Sequence, residues 1–171
     1  MAGPHIRAAL ESFSEKLVAQ PEKAKAKHSP ATAALAEGLR CVATGPQGER
    51  IETDMPRAMG GEASGPNPGW YFRASMASCC ATVIAMQAAK LGIRLTKLEV
   101  TVESEGDHRG MLGLDETISA GASVMRTNVL IGAENADRDQ LEGLVRWAER
   151  HSPVGCTVQG APANALNVVV V

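Results

Sequence analysis

At 171 residues the chain is long enough for one domain with a sizeable core, and nothing in it asks for two. A formal net charge of −2 supplies no basic field, which argues against general nucleic-acid binding. Four cysteines, Cys41, Cys79, Cys80 and Cys156, form neither a regular disulfide framework nor a CxxC pair, so a secreted disulfide scaffold and a structural zinc site are both disfavoured, and no metal or cofactor is expected.

The first residues are charged and interrupted by Pro4 and His5, without the apolar run of a signal peptide. Polar breaks argue against a membrane-spanning helix, so the expectation is a cytoplasmic protein with reduced thiols and no membrane partner. From Ile6 to Val18, apolar residues at Ile6, Leu10, Phe13 and Leu17 lie opposite Arg7, Glu11, Glu15 and Lys16, the pattern of an amphipathic surface helix. Pro21 ends it, and Glu22 to Pro30 is a solvated, Lys-rich connector. Leu39 to Thr44 and Arg50 to Asp54, joined by Gly45-Pro46-Gln47-Gly48, read as a hairpin. A Gly- and Pro-rich loop, Met55 to Pro66, leads into the least polar segment of the chain.

That segment is a long helix, Trp70 to Leu91, with Asn67 as N-cap, Pro68 at the first helical position and Gly92 as the stop. Arg73 is its one charge before Lys90, so the helix is expected to be buried, and no single chain of this size covers all of it. Leu95 to Glu103 alternates as a half-exposed strand, Thr117 to Ala122 as a short strand and Ser123 to Gly132 as a firmer one. Asp137 with Gln140 forms a capping box ahead of Leu141, Leu144, Val145 and Ala148. Pro153 ends that helix, and Leu166 to Val171 is expected as a closing strand. The order, without βαβ rhythm, is that of an α+β fold.

The thiols divide by position. Cys79 shares a helical stripe with Phe72, Met76, Val83 and Met86, as a core residue does, yet a thiol in a dry helix is also a candidate nucleophile. It lies about three turns from Asn67, beyond the reach of the helix N-terminus, so a cation would have to come from Arg40, Arg50, Arg57 or Arg73. Cys80 is turned about 100° away, towards Arg73 and Gln87, and reads as structural. Cys41 reads as strand filler. His151 beside Ser152 does not make a hydrolase pair, because neighbours on a helix do not face each other; it reads as a cation near a helix C-terminus. His108 and Asp107 lack further ligands at metal spacing. Trp70, Tyr71 and Phe72 read as packing or dimer contact, or as the lining of an apolar pocket.

Two motifs carry a family resemblance. Gly65-Pro66-Asn67-Pro68-Gly69-Trp70-Tyr71-Phe72, followed by Met76-Ala77-Ser78-Cys79-Cys80-Ala81-Thr82-Val83 and Lys90-Leu91-Gly92, is similar to the central helix of the OsmC/Ohr family. Ala148 to Thr157 is similar to its second motif. The resemblance spans about Leu39 to Val171, which divides the chain into an N-terminal helix and connector, 1–36, and an OsmC/Ohr-like domain, 37–171. It implies a curved antiparallel sheet packed on long central helices in an intertwined homodimer, with active sites at the interface. It also implies thiol peroxidation: a cysteine attacks an organic hydroperoxide, becomes a sulfenic acid and is resolved by a second cysteine, with an Arg and a Glu near the first.

Carried over residue by residue, Cys79 falls on the peroxidatic position, whereas Ser152 of Ser152-Pro153-Val154-Gly155 stands where the family has its resolving cysteine. Gly69 stands where peroxidase members carry the Glu, and Pro46 in the turn expected to carry the Arg. Cys156 is a substitute resolving thiol only if its loop turns inward. The resemblance therefore leaves two expectations: a peroxidase that uses an external thiol reductant, or a non-catalytic homodimer that binds a small apolar ligand at its interface.

Overall fold

The structure, a computed structural model, describes residues 4–171. Its elements in order are α1 (Pro4–Ala19), β1 (Thr32–Glu37), β2 (Arg40–Thr44), β3 (Arg50–Thr53), α2 (Pro68–Leu91), β4 (Leu95–Glu105), α3 (His108–Met111), β5 (Val124–Ala133), α4 (Arg138–Glu149) and α5 (Pro153–Gly160). The chain divides into two compact units, Ala9–Ser75 and, for most of its residues, Met76–Val171.

In the N-terminal unit, β1, β2 and β3 make an antiparallel sheet in that order, with Cys41 opposite Thr53 and Val42 opposite Glu52. The β2–β3 hairpin closes through Gly45 N–H to Glu49 C=O, and Gly48 adopts φ +92°, a conformation that L side chains resist. Alternation betrays this hairpin in the sequence. It does not betray β1, whose Thr-Ala-Ala-Leu-Ala-Glu is weak in strand propensity and exposed at every position.

Asp54 fastens the loop that follows. It is 2% exposed, and its carboxylate accepts from Met55 N at 2.7 Å, Glu62 N at 3.1 Å, Ser64 N at 3.0 Å and Ser64 Oγ at 2.8 Å. The backbone and hydroxyl of Ser64, then the other amides, hold this carboxyl below its ordinary range against the opposing effect of burial. A side chain does not fit at Gly61, where a Cβ would lie 2.0 Å from the Met55 carbonyl. Since the folded value is the lower one, the stabilisation is present above the unfolded carboxyl range and lost as pH falls through the folded value. Asp54→Asn should therefore lower Tm at neutral pH and flatten the acid side of a Tm-against-pH curve; an unchanged acid slope would remove Asp54 from this role.

Helix α2 begins and ends as local chemistry dictates. Asn67 Oδ1 accepts from Trp70 N at 2.9 Å, with Pro68 at the first position. At the far end Gly92 takes φ +70°, and the pair Gly92 N to Ala89 O and Ile93 N to Ala88 O completes a Schellman motif. By length and composition the helix is apolar enough to cross a bilayer, contrary to the expectation from its polar breaks. In this fold its Cys80, Ile84 and Ala88 face is packed in the protein core.

The C-terminal unit holds that core. β4 and β5 pair antiparallel, with Leu98 opposite Ile131 and Val100 opposite Val129, and these residues pack with Cys80, Ile84, Ala88, Leu95, Leu144 and Ala148. Helix α4 has the expected capping box: Asp137 accepts from Gln140 N at 2.9 Å, and the Gln140 side chain accepts from Asp137 N at 2.9 Å.

Three expectations need correction. Thr117 to Ala122 is not a strand, because Asp115 draws the Thr117 amide and hydroxyl into a turn at 3.0 and 2.7 Å. Pro153 does not merely end α4; it occupies the first position of α5, with Ser152 as N-cap. Leu166 to Val171 forms no strand, since valine propensity needs a neighbouring edge to pair with, and the segment runs unpaired with Val168, Val169 and Val170 at least 74% exposed. In the single chain α2 leaves Trp70, Phe72, Met86 and Leu91 exposed, as a helix that one chain of this size does not cover should.

Candidate functional site

The periodicity of α2 points to Cys79 as the core thiol, yet the helix is rotated so that the neighbouring face goes inward. Cys80 is buried, whereas Cys79 is half-buried. Burial pushes the Cys80 thiol up, and the sulfur of Cys79 and the carboxylate of Glu149 add to the effect. Cys80 is thus a protonated, packed thiol at neutral pH.

Cys79 meets Ser152. The Ser152 hydroxyl, on a residue 3% exposed, donates to the Cys79 sulfur at 3.2 Å and accepts from Gly155 N at 3.3 Å. Two features of the chain bring this about. The long helix presents Cys79 one position off its buried stripe, and the sharp junction between α4 and α5 requires an N-cap, which Ser152 supplies. Because its oxygen accepts the Gly155 amide, the hydroxyl proton is directed at the sulfur. The contact joins residues 73 positions apart, and no pattern of propensity or period foretells it.

Cys156 takes another direction. Its sulfur lies against the carbonyls of Arg150 at 3.4 Å and Glu149 at 4.0 Å, at the C-terminal end of α4, and the residue is exposed. Beside it, His151 stacks on Trp147 with ring centroids 3.9 Å apart and 11° between planes, and its Nδ1 lies 2.7 Å from the Trp147 carbonyl. Composition and spacing gave no sign of that stack. The expected helix-end position of His151 is as the structure has it.

The four candidate arginines, Arg40, Arg50, Arg57 and Arg73, all belong to the N-terminal unit, whereas Cys79 belongs to the C-terminal one. Arg40 and Arg50 both bind Glu52, at 3.3 and 2.5 Å, and hold its carboxyl below the ordinary range. Arg57 lies in an exposed turn, Arg57–Met59. Trp70 and Tyr71 meet edge to face at 5.2 Å. Asp107 caps α3 and binds Arg109, and no group of His, Cys, Asp and Glu fit for a metal occurs among the described residues.

A central apolar helix that presents a thiol to the residue before a Pro-x-Gly helix start is the arrangement expected from the two motifs. The family model described as OsmC-like protein matches residues 61–166, which contain both. The chain belongs to the OsmC-like family. Solved structures share the fold. An OsmC-like protein from Mycoplasma pneumoniae aligns with a TM-score of 0.67 and 20% identity over 80% of this chain and 90% of that one. An organic hydroperoxide resistance protein from Legionella pneumophila aligns at 0.56 and 22% over 80% and 93%. The organic hydroperoxide resistance protein OhrB of Bacillus subtilis aligns at 0.52 and 19% over 78% and 92%. Comparison with curated protein sequences finds no match. At such identities the structural likeness carries the α+β fold alone, with its antiparallel sheets and helices.

Proposed function

We propose that this OsmC-like protein is a thiol-dependent peroxidase that reduces organic hydroperoxides through Cys79. The observation that carries the proposal is the Ser152 hydroxyl 3.2 Å from the Cys79 sulfur: the thiol sits at the meeting point of both family motifs, beside a donor able to meet charge on sulfur. In the reaction the sulfur attacks the distal peroxide oxygen of ROOH, the O–O bond breaks, ROH leaves with one proton, and Cys79 becomes a sulfenic acid. An external thiol then condenses with it, forming a mixed disulfide and releasing water. A second thiol exchanges with that disulfide, restores Cys79 and leaves as the oxidised pair. Any cation that assists the thiol comes from Arg40, Arg50, Arg57 or Arg73, of which Arg40 and Arg50 already bind Glu52. The direct test is consumption of an alkyl hydroperoxide with a dithiol reductant.

The proposal includes a cytoplasmic homodimer built from the OsmC/Ohr-like domain, 37–171, which the strand β1, Thr32–Glu37, joins by pairing with β2. What supports the dimer is the exposure of Trp70 at 49%, Phe72 at 41% and Leu91 at 58% on the least polar helix of the chain. Light scattering should give twice the chain mass at micromolar concentration; a folded monomer there would overturn it.

A second reading is a non-catalytic dimer that binds a small apolar ligand at its interface. It is favoured by Gly69 and Ser152, which occupy the places of the family's Glu and second cysteine. Absence of turnover together with saturable uptake of an uncharged apolar probe would select it.

A further inference from the structure

On the outer flank of the core in the C-terminal unit, β5 and α4 enclose an open groove of about 540 Å³. Val129 and Ile131 line it from the strand, and Leu141 and Val145 from the helix. Above this apolar floor stand Arg138, Glu142 and Arg146, one helical turn apart. Glu142 accepts from Arg138 Nε at 2.8 Å and from Arg146 Nη2 at 2.7 Å. The two guanidiniums hold its carboxyl below the ordinary range, so it is ionised at neutral pH. The rim thus carries two positive charges against one negative. A guanidinium has five N–H donors in a planar fork, and each of these commits one nitrogen to Glu142, which leaves donors for a second anion. The volume falls within the ~300–1,000 Å³ of small-molecule sites, and the layout of apolar floor and few polar groups is theirs as well.

We propose that this groove binds a free straight-chain fatty acid, its chain on the Val129, Ile131, Leu141 and Val145 floor and its carboxylate held by Arg138 and Arg146. A cationic amphiphile is disfavoured by the rim charge, and a neutral chain lacks the anchor. Neither Cys79 nor Ser152 lines the groove, so the site is independent of the peroxidase proposal.

The experiment is titration calorimetry on the full chain with decanoate, decanol and decyltrimethylammonium. Decanoate should bind saturably at one per chain and tighter than either comparator. Arg138→Gln with Arg146→Gln should weaken decanoate at least tenfold and leave decanol unchanged. Glu142→Gln, which removes the competing carboxylate, should tighten decanoate severalfold; a structural role alone would not improve binding. Val145→Trp should fill the groove and abolish binding, and if that variant fails to fold, the exposed-rim variants carry the test. No saturable binding of decanoate, equal binding of the cation, or an unchanged affinity in the double arginine variant would each overturn the site, as would burial of the groove in a dimer.

Discussion

Cys79→Ser is expected to abolish hydroperoxide consumption, whereas Cys80→Ala should keep it within about twofold of the parent protein. The two thiols are neighbours in sequence, and their surroundings separate them. Cys80 is buried in the core with Ile84, Ala88, Leu144 and Ala148, and burial with the nearby Glu149 carboxylate keeps its proton on. A thiol held protonated is a poor nucleophile. Cys79 is half-buried and has a hydroxyl donor on its sulfur. Serine at 79 preserves size and removes the nucleophile, because an alcohol does not attack peroxide oxygen under these conditions. Cys80→Ala deletes one core sulfur, so a cost of about 1 kcal/mol in stability is expected from the small cavity left. Rates measured with a dithiol and an alkyl hydroperoxide, alongside thermal melts, separate the two effects. Equal losses in both variants, or full activity in Cys79→Ser, would remove Cys79 from its role.

What was legible beforehand follows the range of the interactions. Both ends of α2, the Asp137 capping box and the β2–β3 hairpin are settled by residues within a few positions of one another: Asn67 and Trp70, Ala88 and Ile93, Asp137 and Gln140, Gly45 and Glu49. Those could be read. The failures need partners from further off. β1 exists because β2 offers it an edge, not because Thr-Ala-Ala-Leu-Ala-Glu prefers to be extended. The valines of Leu166 to Val171 prefer it and find no edge among the described residues. For the site, helical periodicity picked out the Cys79 stripe as the buried one and was one residue off. The rotation of α2 is decided by how Ile84 and Ala88 fit against Leu95, Leu144 and Ala148, which a single helix cannot reveal. The Cys79 to Ser152 contact was accessible through the family resemblance of the two motifs and through nothing local.

Ser152 sets what happens after oxidation. Once Cys79 is a sulfenic acid, its hydrogen-bonding neighbour is an alcohol, which cannot displace the hydroxide to make a disulfide. The sulfenic acid is expected to persist and to be trapped by a dimedone-type probe in the reductant-free protein. Continued hydroperoxide without reductant should then carry it to the sulfinic state and inactivate the protein. Ser152→Cys should convert this one-cysteine site to a two-cysteine one. Oγ and Sγ are 3.2 Å apart, and a disulfide is about 2.05 Å, so a new sulfur at this position needs to close by roughly 1 Å, within the freedom of two side-chain torsions. The cost is the N-cap of α5, since Ser152 accepts from Gly155 N; a loss of about 1 kcal/mol in the reduced variant is expected. Oxidation should offset it by cross-linking positions 79 and 152. Cys156 is the competitor. Its sulfur rests on the Arg150 and Glu149 carbonyls, so it must leave the end of α4 before it reaches Cys79. Peptide mass mapping after mild oxidation distinguishes the outcomes. A bridge from Cys79 to the introduced thiol, confined to the Ser152→Cys variant, supports the assignment, and a Cys79 to Cys156 bridge in the parent protein would overturn it and make Cys156 the resolving thiol.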